Sequence, residues 1–199
     1  MEEIISYIME TPENVNGNIL REKLKEFKEG DGASFVLDDL IEGKSGIHLV
    51  SNAESVSDAA FACFERDGIN VGLGWYLESV DLPNATSIGT DAFFSCSALT
   101  SVDLPNVTSI GNSAFGGCSA LTSVDLPNVT SIGNSAFASC SALTSVDLPN
   151  ATSIGTDAFN GISSTAVINI GAAEGEISGA PWDAPNGVTI NYNVHPTSE

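Results

Sequence analysis

Four aspartates, Asp81, Asp103, Asp125 and Asp147, stand 22 residues apart, each inside the run V-D-L. Carboxylates at one spacing can collect a divalent cation or the basic groups of a partner. Calcium takes six to eight oxygen ligands, which single carboxylates in a straight row do not supply, so no metal is assigned. On in-register strands about 4.8 Å apart, each neighbouring pair of charges costs only about 0.9 kcal/mol in water. The four are therefore read as a solvated acidic row and as candidate binding residues. Cys63, Cys96, Cys118 and Cys140 lack CxxC spacing, and the last three share one repeat position. Stacked at strand spacing, their Cβ atoms lie farther apart than the roughly 3.8 Å a disulfide prefers, so packed thiols are expected rather than a disulfide or a zinc site. Asn84, Asn106, Asn128 and Asn150 each open an N-x-T triplet, formally a glycosylation acceptor. An asparagine that follows proline is better explained by side-chain bonding to turn backbone in an internal ladder. His48 and His195 bear no fixed relation to any serine, so a nucleophilic triad is not supported. There is no glycine-rich phosphate loop, HExxH or EF-hand pattern either, and the reading is a non-enzyme without a cofactor.

The unit that must position these residues is SVDLPNVTSIGNSAFGGCSALT, starting at Ser101 and returning nearly unchanged every 22 residues. Such a period marks a solenoid, because one copy cannot bury its apolar face without neighbours. Val102 and Leu104 alternate with Ser101 and Asp103, which predicts a strand with one face buried. Pro105 ends it and Asn106 turns the chain. Thr108 to Ile110 are expected as a second extended piece, Gly111 as the residue that permits another turn, and NSAF as the start of a helical or 3₁₀ segment that buries Ala114 and Phe115. Applied to every copy, this predicts a core of Ile88, Phe93, Cys96, Leu99, Val102, Leu104, Ile110, Phe115, Cys118 and Leu121, continued by Val124, Leu126, Ile132, Phe137, Cys140, Leu143, Val146, Leu148, Ile154 and Phe159.

The fold class predicted is an α/β repeat solenoid preceded by a small helical hairpin. Residues 1–29 form that hairpin, with Ile4, Ile5 and Ile8 on one helix and Ile19, Leu20, Leu24 and Phe27 on the other, and are expected to serve attachment, assembly or self-association. Residues 30–46 are a joint and N-terminal cap, in which FVLDDLIEG suits either a strand or a short helix. The solenoid spans 47–171. Its degenerate first coil matches Leu49 to Leu82, Val56 to Ile88 and Phe61 to Phe93, and an insertion at 65–76 has no counterpart in later coils. Repeat insertions often carry binding surface, so Trp75 and Tyr76 join the candidate binding residues. Ile168 and Ile170 take the places of Val146 and Leu148. Residues 172–199 form the C-terminal cap, with Trp182 as a lid over the last Phe layer and VTINYN as a final strand after Asn186-Gly187.

The formal charge is −20, and every Lys and Arg lies at or before Arg66. A phosphate-tracking surface needs clustered basic residues, so nucleic acid and anionic membrane are poor partners. MEEIISYIME fits neither a secretory signal nor a membrane span, and a virion or cytoplasmic location is expected over export.

The pattern LxxVxLPxxxxIGxxAFxxCxx, carried by Leu99, Val102, Leu104, Pro105, Ile110, Gly111, Ala114, Phe115 and Cys118, resembles the BspA-type leucine-rich repeats. The resemblance covers 77–164 closely and 47–64 loosely. It implies a right-handed solenoid with a short parallel sheet on one side, and a role in adhesion or in recognising a protein or surface glycan. It brings no catalytic residues. ETPENVNGNILREKLKEF and SGAPWDAPNGVTINYN look like segments that frame such repeats in phage-like structural proteins of gut Firmicutes. The expected function is thus macromolecular recognition, with a ligand-free structural spacer as the alternative.

Overall fold

The computed structural model describes residues 35–36, 47–51, 54–66, 69–71, 74 and 77–194. Each regular coil lays down two short strands on either side of a proline turn. The longer rungs are β2 (Ile47–Ser51), β6 (Leu77–Asp81), β8 (Ser101–Asp103), β10 (Ser123–Asp125), β12 (Ser145–Leu148), β14 (Val167–Ile170) and β15 (Thr189–Asn191). The shorter rungs are β3 (Ser55–Val56), β7 (Ser87–Ile88), β9 (Ser109–Ile110), β11 (Ser131–Ile132) and β13 (Ser153–Ile154). Apart from β8 and β10, each rung pairs in parallel with its counterpart in the next coil, as in Val80↔Val102, Val124↔Val146 and Ile88↔Ile110. Equal side chains therefore stack on one another. Proline confines the first strand because it has no N–H to give to a ladder.

The shorter rungs build a continuous sheet of their own in the order β13-β11-β9-β7-β3. The expectation of a sheet on one side is thus corrected: the Ser-Ile dipeptides, each with a buried isoleucine, give the coil a second parallel face. The third side corrects another expectation. NSAF forms consecutive turns instead of a helical segment, with Ser113 at φ 50° and Gly117 at φ 76°. An α-helix would send its N–H groups to carbonyls four residues back; those of Ala114, Gly116 and Cys118 instead reach three back, to Gly111, Ser113 and Phe115 at 3.4, 2.9 and 3.1 Å, as isolated turns that the positive φ values keep from joining into a 3₁₀-helix. Here the N–H groups of Ser113, Phe115 and Gly117 donate to Asn134, Ala136 and Ala138 of the next coil at 2.8, 2.8 and 2.7 Å. All three sides thus exchange backbone hydrogen bonds between coils, and no α-helix occurs among the described residues.

Gly111 also has a different role from the one expected. It has no left-handed φ, but a Cβ on it would lie 2.6 Å from the carbonyl carbon of Gly89. Gly133 meets Gly111 in the same way, at 2.6 Å. The glycine column is set by close approach of coil to coil, not by turn conformation.

Inside the stack, Phe61, Phe93, Phe115, Phe137 and Phe159 form one column of parallel rings. Centroids are 5.3, 5.2, 5.4 and 5.9 Å apart. Trp182, buried and 6.1 Å from Phe159, meets the last ring edge-on at 74°. Its indole N–H donates to the Ser178 carbonyl at 3.0 Å, which satisfies the polar atom that burial would otherwise strand.

Of the core residues named from the sequence, Val102 is the exception. It is half-buried, whereas Val80, Val124 and Val146 are fully buried. Val102 lies beside a seam. The longer rungs form two sheets, β1-β2-β6-β8 and β10-β12-β14-β15, so β8 and β10 do not share a ladder. The shorter rungs β9 and β11 pair across the same boundary, and the seam is confined to one face.

At the N-terminal end, β1 (Phe35–Val36) pairs antiparallel with β2 and covers the edge of the first sheet, so this part of FVLDDLIEG is strand. A register shift between Ile47 and His48 sets Leu49 opposite Val80, two residues from the Leu82 expected. Val56 lies opposite Ile88 as expected. Within the insertion, β4 (Phe64–Arg66) and β5 (Ile69–Val71) pair as an antiparallel hairpin. Residues 1–29, Trp75, Tyr76 and His195 lie outside the described residues. At the other end, β15 pairs in parallel with β14, so the longer-rung sheet runs past residue 171 into the expected cap.

Candidate functional site

The alternation V-D-L puts the valine and leucine of each longer rung into the core and the aspartate outside. Register then aligns Asp81 with Asp103, and Asp125 with Asp147. The row continues as Asn169 and Asn191, opposite Asp147 and Asn169 respectively. Asp103 and Asp125 are exposed; Asp81 and Asp147 are half-buried.

The two ends of the row differ in chemistry. Asn169 donates its amide to Asp147 Oδ1 at 2.6 Å, Asn191 donates to Asn169 Oδ1 at 2.8 Å, and the Ser145 hydroxyl lies 3.4 Å from Asp147 Oδ2. Asp147 is thus fixed in place by its neighbours. Asp125 sits between carboxylates instead. Partial burial, and then the charges of Asp147 and Asp103, raise its carboxyl above the ordinary aspartate range. Beside these two acids lies a groove of about 250 Å³ lined by Asp125, Pro127, Asp147, Leu148, Pro149, Asn169 and Val194. Val194 is an exposed apolar side chain, 37% accessible, tied to the stack by its N–H on the Ile170 carbonyl at 2.9 Å. The groove escaped the sequence reading because Val194 lies outside the repeat and reaches the Asp row only through the fold of the cap.

The asparagine and threonine rows are spent within the stack. Asn106, Asn128 and Asn150 each donate to the proline carbonyl of the preceding coil at 2.6 Å. Thr108, Thr130 and Thr152 do the same to the preceding threonine carbonyl at 3.1 to 3.2 Å. The Asn112 and Asn134 side chains accept from the backbone N–H of Asn134 and Thr156, both at 2.9 Å. These side chains join coils and are committed before any ligand arrives.

Cys63, Cys96, Cys118 and Cys140 are free and buried. Cys118 and Cys140 donate to the carbonyls of Phe93 and Phe115 at 3.2 and 3.1 Å. Hydrogen bonding to Cys118 and Cys63, and then burial, raise the Cys96 thiol, and burial raises that of Cys140. Neither is a thiolate poised for nucleophilic attack or metal binding. Among the described residues, no group of three or more acids, histidines or cysteines is placed to hold a metal ion, and no helix is long and apolar enough to cross a membrane.

The chain is similar to several solved structures, and the first of them shares its fold. A leucine rich repeat protein of T. pallidum is 21% identical, over 85% of this chain and 84% of its own, with a TM-score of 0.52. A leucine rich cell surface protein from Faecalibacterium prausnitzii is 22% identical over 82% of this chain and 50% of its own, TM-score 0.44. A leucine-rich repeat protein from Bacteroides ovatus is 19% identical over 70% and 46%, TM-score 0.39. No curated protein matches the chain. The BspA type leucine rich repeat region matches residues 74–179 in 6 copies, the stretch whose V-D-L, Ser-Ile and Ala-Phe positions build the three sides of the coil, and the chain belongs to that family.

Proposed function

We propose that this chain is a non-enzymatic recognition module whose working surface is the acidic face of the longer rungs. The observation that carries this reading is a division of labour among the polar rows. Asparagine and threonine are consumed between coils, while the aspartates stand partly or fully exposed in one line. Maintaining like charges at strand spacing costs stability in every coil, a cost that a partner's opposite charge offsets. The leucine-rich-repeat solenoid suits a protein-interaction or surface module. Adhesion to a surface would be one form of that activity. A virion setting, suggested by the chain ends, is not needed for it, and 10–27 lies outside the described residues.

The test is retention of a partner from bacterial-surface or host-cell extracts by the immobilised chain, compared with a variant carrying all four Asp→Asn changes at 81, 103, 125 and 147. Retention that the variant loses is the expected result. Retention by neither would return the chain to the spacer reading, and equal retention by both would move the working surface off the Asp row.

A further inference from the structure

We propose that the groove beside Pro127 and Pro149 seats an arginine side chain from an extended segment of a protein partner, with Asp125 and Asp147 as its counter-ions. The inference rests on the recognition reading and narrows it to one end of the acidic face and one chemical group.

Three observations lead there. First, the groove combines an apolar part, from Pro127, Pro149 and Val194, with two carboxylates on adjacent in-register strands. Arginine has the matching division, an apolar stem and a planar fork of donors that can bridge two acceptors. Second, the polar atoms beside Asp147 are already oriented. The Asn169 amide gives a hydrogen to Asp147, and its carbonyl oxygen takes one from Asn191. The acid is held in place before binding, so less freedom is lost when a ligand arrives. Third, residues 67–199 contain no lysine or arginine, so the coils that build the groove bring no such side chain to it. The apolar walls and paired acids make it complementary to a basic group from another molecule. The same feature separates the groove from the rest of the row, since Asp81 and Asp103 do not line it.

The experiment uses the full chain and a fluorescein-labelled peptide of repeated Gly-Arg-Pro, followed by fluorescence anisotropy at physiological salt. A second peptide carries citrulline in place of arginine, which keeps shape and removes charge. Asp125→Asn and Asp147→Asn are expected to weaken the arginine peptide by about tenfold each, the scale of losing a charge-assisted contact. Glu54→Gln removes the same charge from an exposed acid outside both the groove and the Asp row and is expected to change affinity less than about twofold. The citrulline peptide should not bind. Equal losses in Glu54→Gln and Asp147→Asn would show general attraction to a chain of charge −20 and overturn the groove. So would an unchanged affinity in both groove variants, or a citrulline peptide that binds as well. None of these outcomes decides whether the acidic face retains a partner from extracts, so failure of the groove and failure of the recognition reading are separable.

Discussion

Phe115 lies between the rings of Phe93 and Phe137 at 5.2 and 5.4 Å, with no solvent exposure. Phe115→Ala empties a site closed on both sides by stacked neighbours, and a loss of about 3–5 kcal/mol in urea unfolding is expected. A loss under about 1 kcal/mol would mean that the column does not hold the coil together. The thiol row allows a second check. Cys140 is buried, with its thiol raised by that burial, so alkylation should be slow in native buffer and fast in denaturant. Rapid native labelling would contradict the packed row. Asp125 makes a prediction with a sign. Its carboxyl is raised in the folded chain above the ordinary value of 3.8, by partial burial and by Asp147 and Asp103, so the folded state holds the proton more tightly than the unfolded state does. That contribution to stability is fully present below pH 3.8 and is lost as pH rises through the raised range. At neutral pH the charged side chain is a net cost. Asp125→Asn should therefore raise the melting temperature at neutral pH, and the gain should vanish in acid below the ordinary aspartate value. A gain that persists there would point to a cause other than charge.

At the scale of the element, two glycines of one coil test two different constraints. Gly111 stands where a Cβ would press on the backbone of Gly89 at 2.6 Å, with no flexible side chain there to yield. Gly111→Ala must push one coil off the next, and a loss of about 2–3 kcal/mol or more is expected from overpacking a closed site. Gly117 is left-handed, φ 76°, but the equivalent Ser95 and Ser139 tolerate φ 59° and 61°. A Cβ there meets the Ser95 hydroxyl at 3.1 Å, an atom that can turn away. Gly117→Ala should cost only about 1–2 kcal/mol, the ordinary penalty of a side chain in that region. Urea unfolding of the two variants side by side reads the difference. If Gly117→Ala were the worse of the pair, coil spacing would not be what the glycine column protects.

For the whole molecule, interchangeable coils are the main consequence of in-register rows. Deleting Ser101 to Thr122 removes β8 and β9 and brings β6 opposite β10, valine on valine and aspartate on aspartate, because the period is unchanged. The Phe column loses one ring and Phe93 meets Phe137. The shortened chain should fold, since each coil contacts only its neighbours. A cooperative circular dichroism melt, with the proportion of β structure retained, is the expected outcome. Binding to the arginine peptide should survive as well, because Asp125, Asp147 and Val194 lie beyond the deletion. An unfolded product would count against exchangeable coils.

The sequence by itself determined the period, and with it the solenoid and the stacking of equal residues. A 22-residue repeat can only superpose V-D-L on V-D-L and Phe on Phe. The outward Asp row follows, since a side chain between two core residues of one strand must point away from the core. Local pattern could not decide the third side of the coil. Asn-Ser-Ala-Phe suits a helix start, but its N–H groups found carbonyls in the next coil, and that choice depends on a neighbour 22 residues away. The same holds for Gly111, whose role is an approach between coils, and for Val102, half-buried at a seam that the near-identical repeats do not encode. The groove was hidden for the same reason. Val194 has no place in the repeat, and only the folded cap carries it to Asp125 and Asp147. Periodicity specifies contacts between equivalent positions; contacts between unlike positions exist only once the chain has closed on itself.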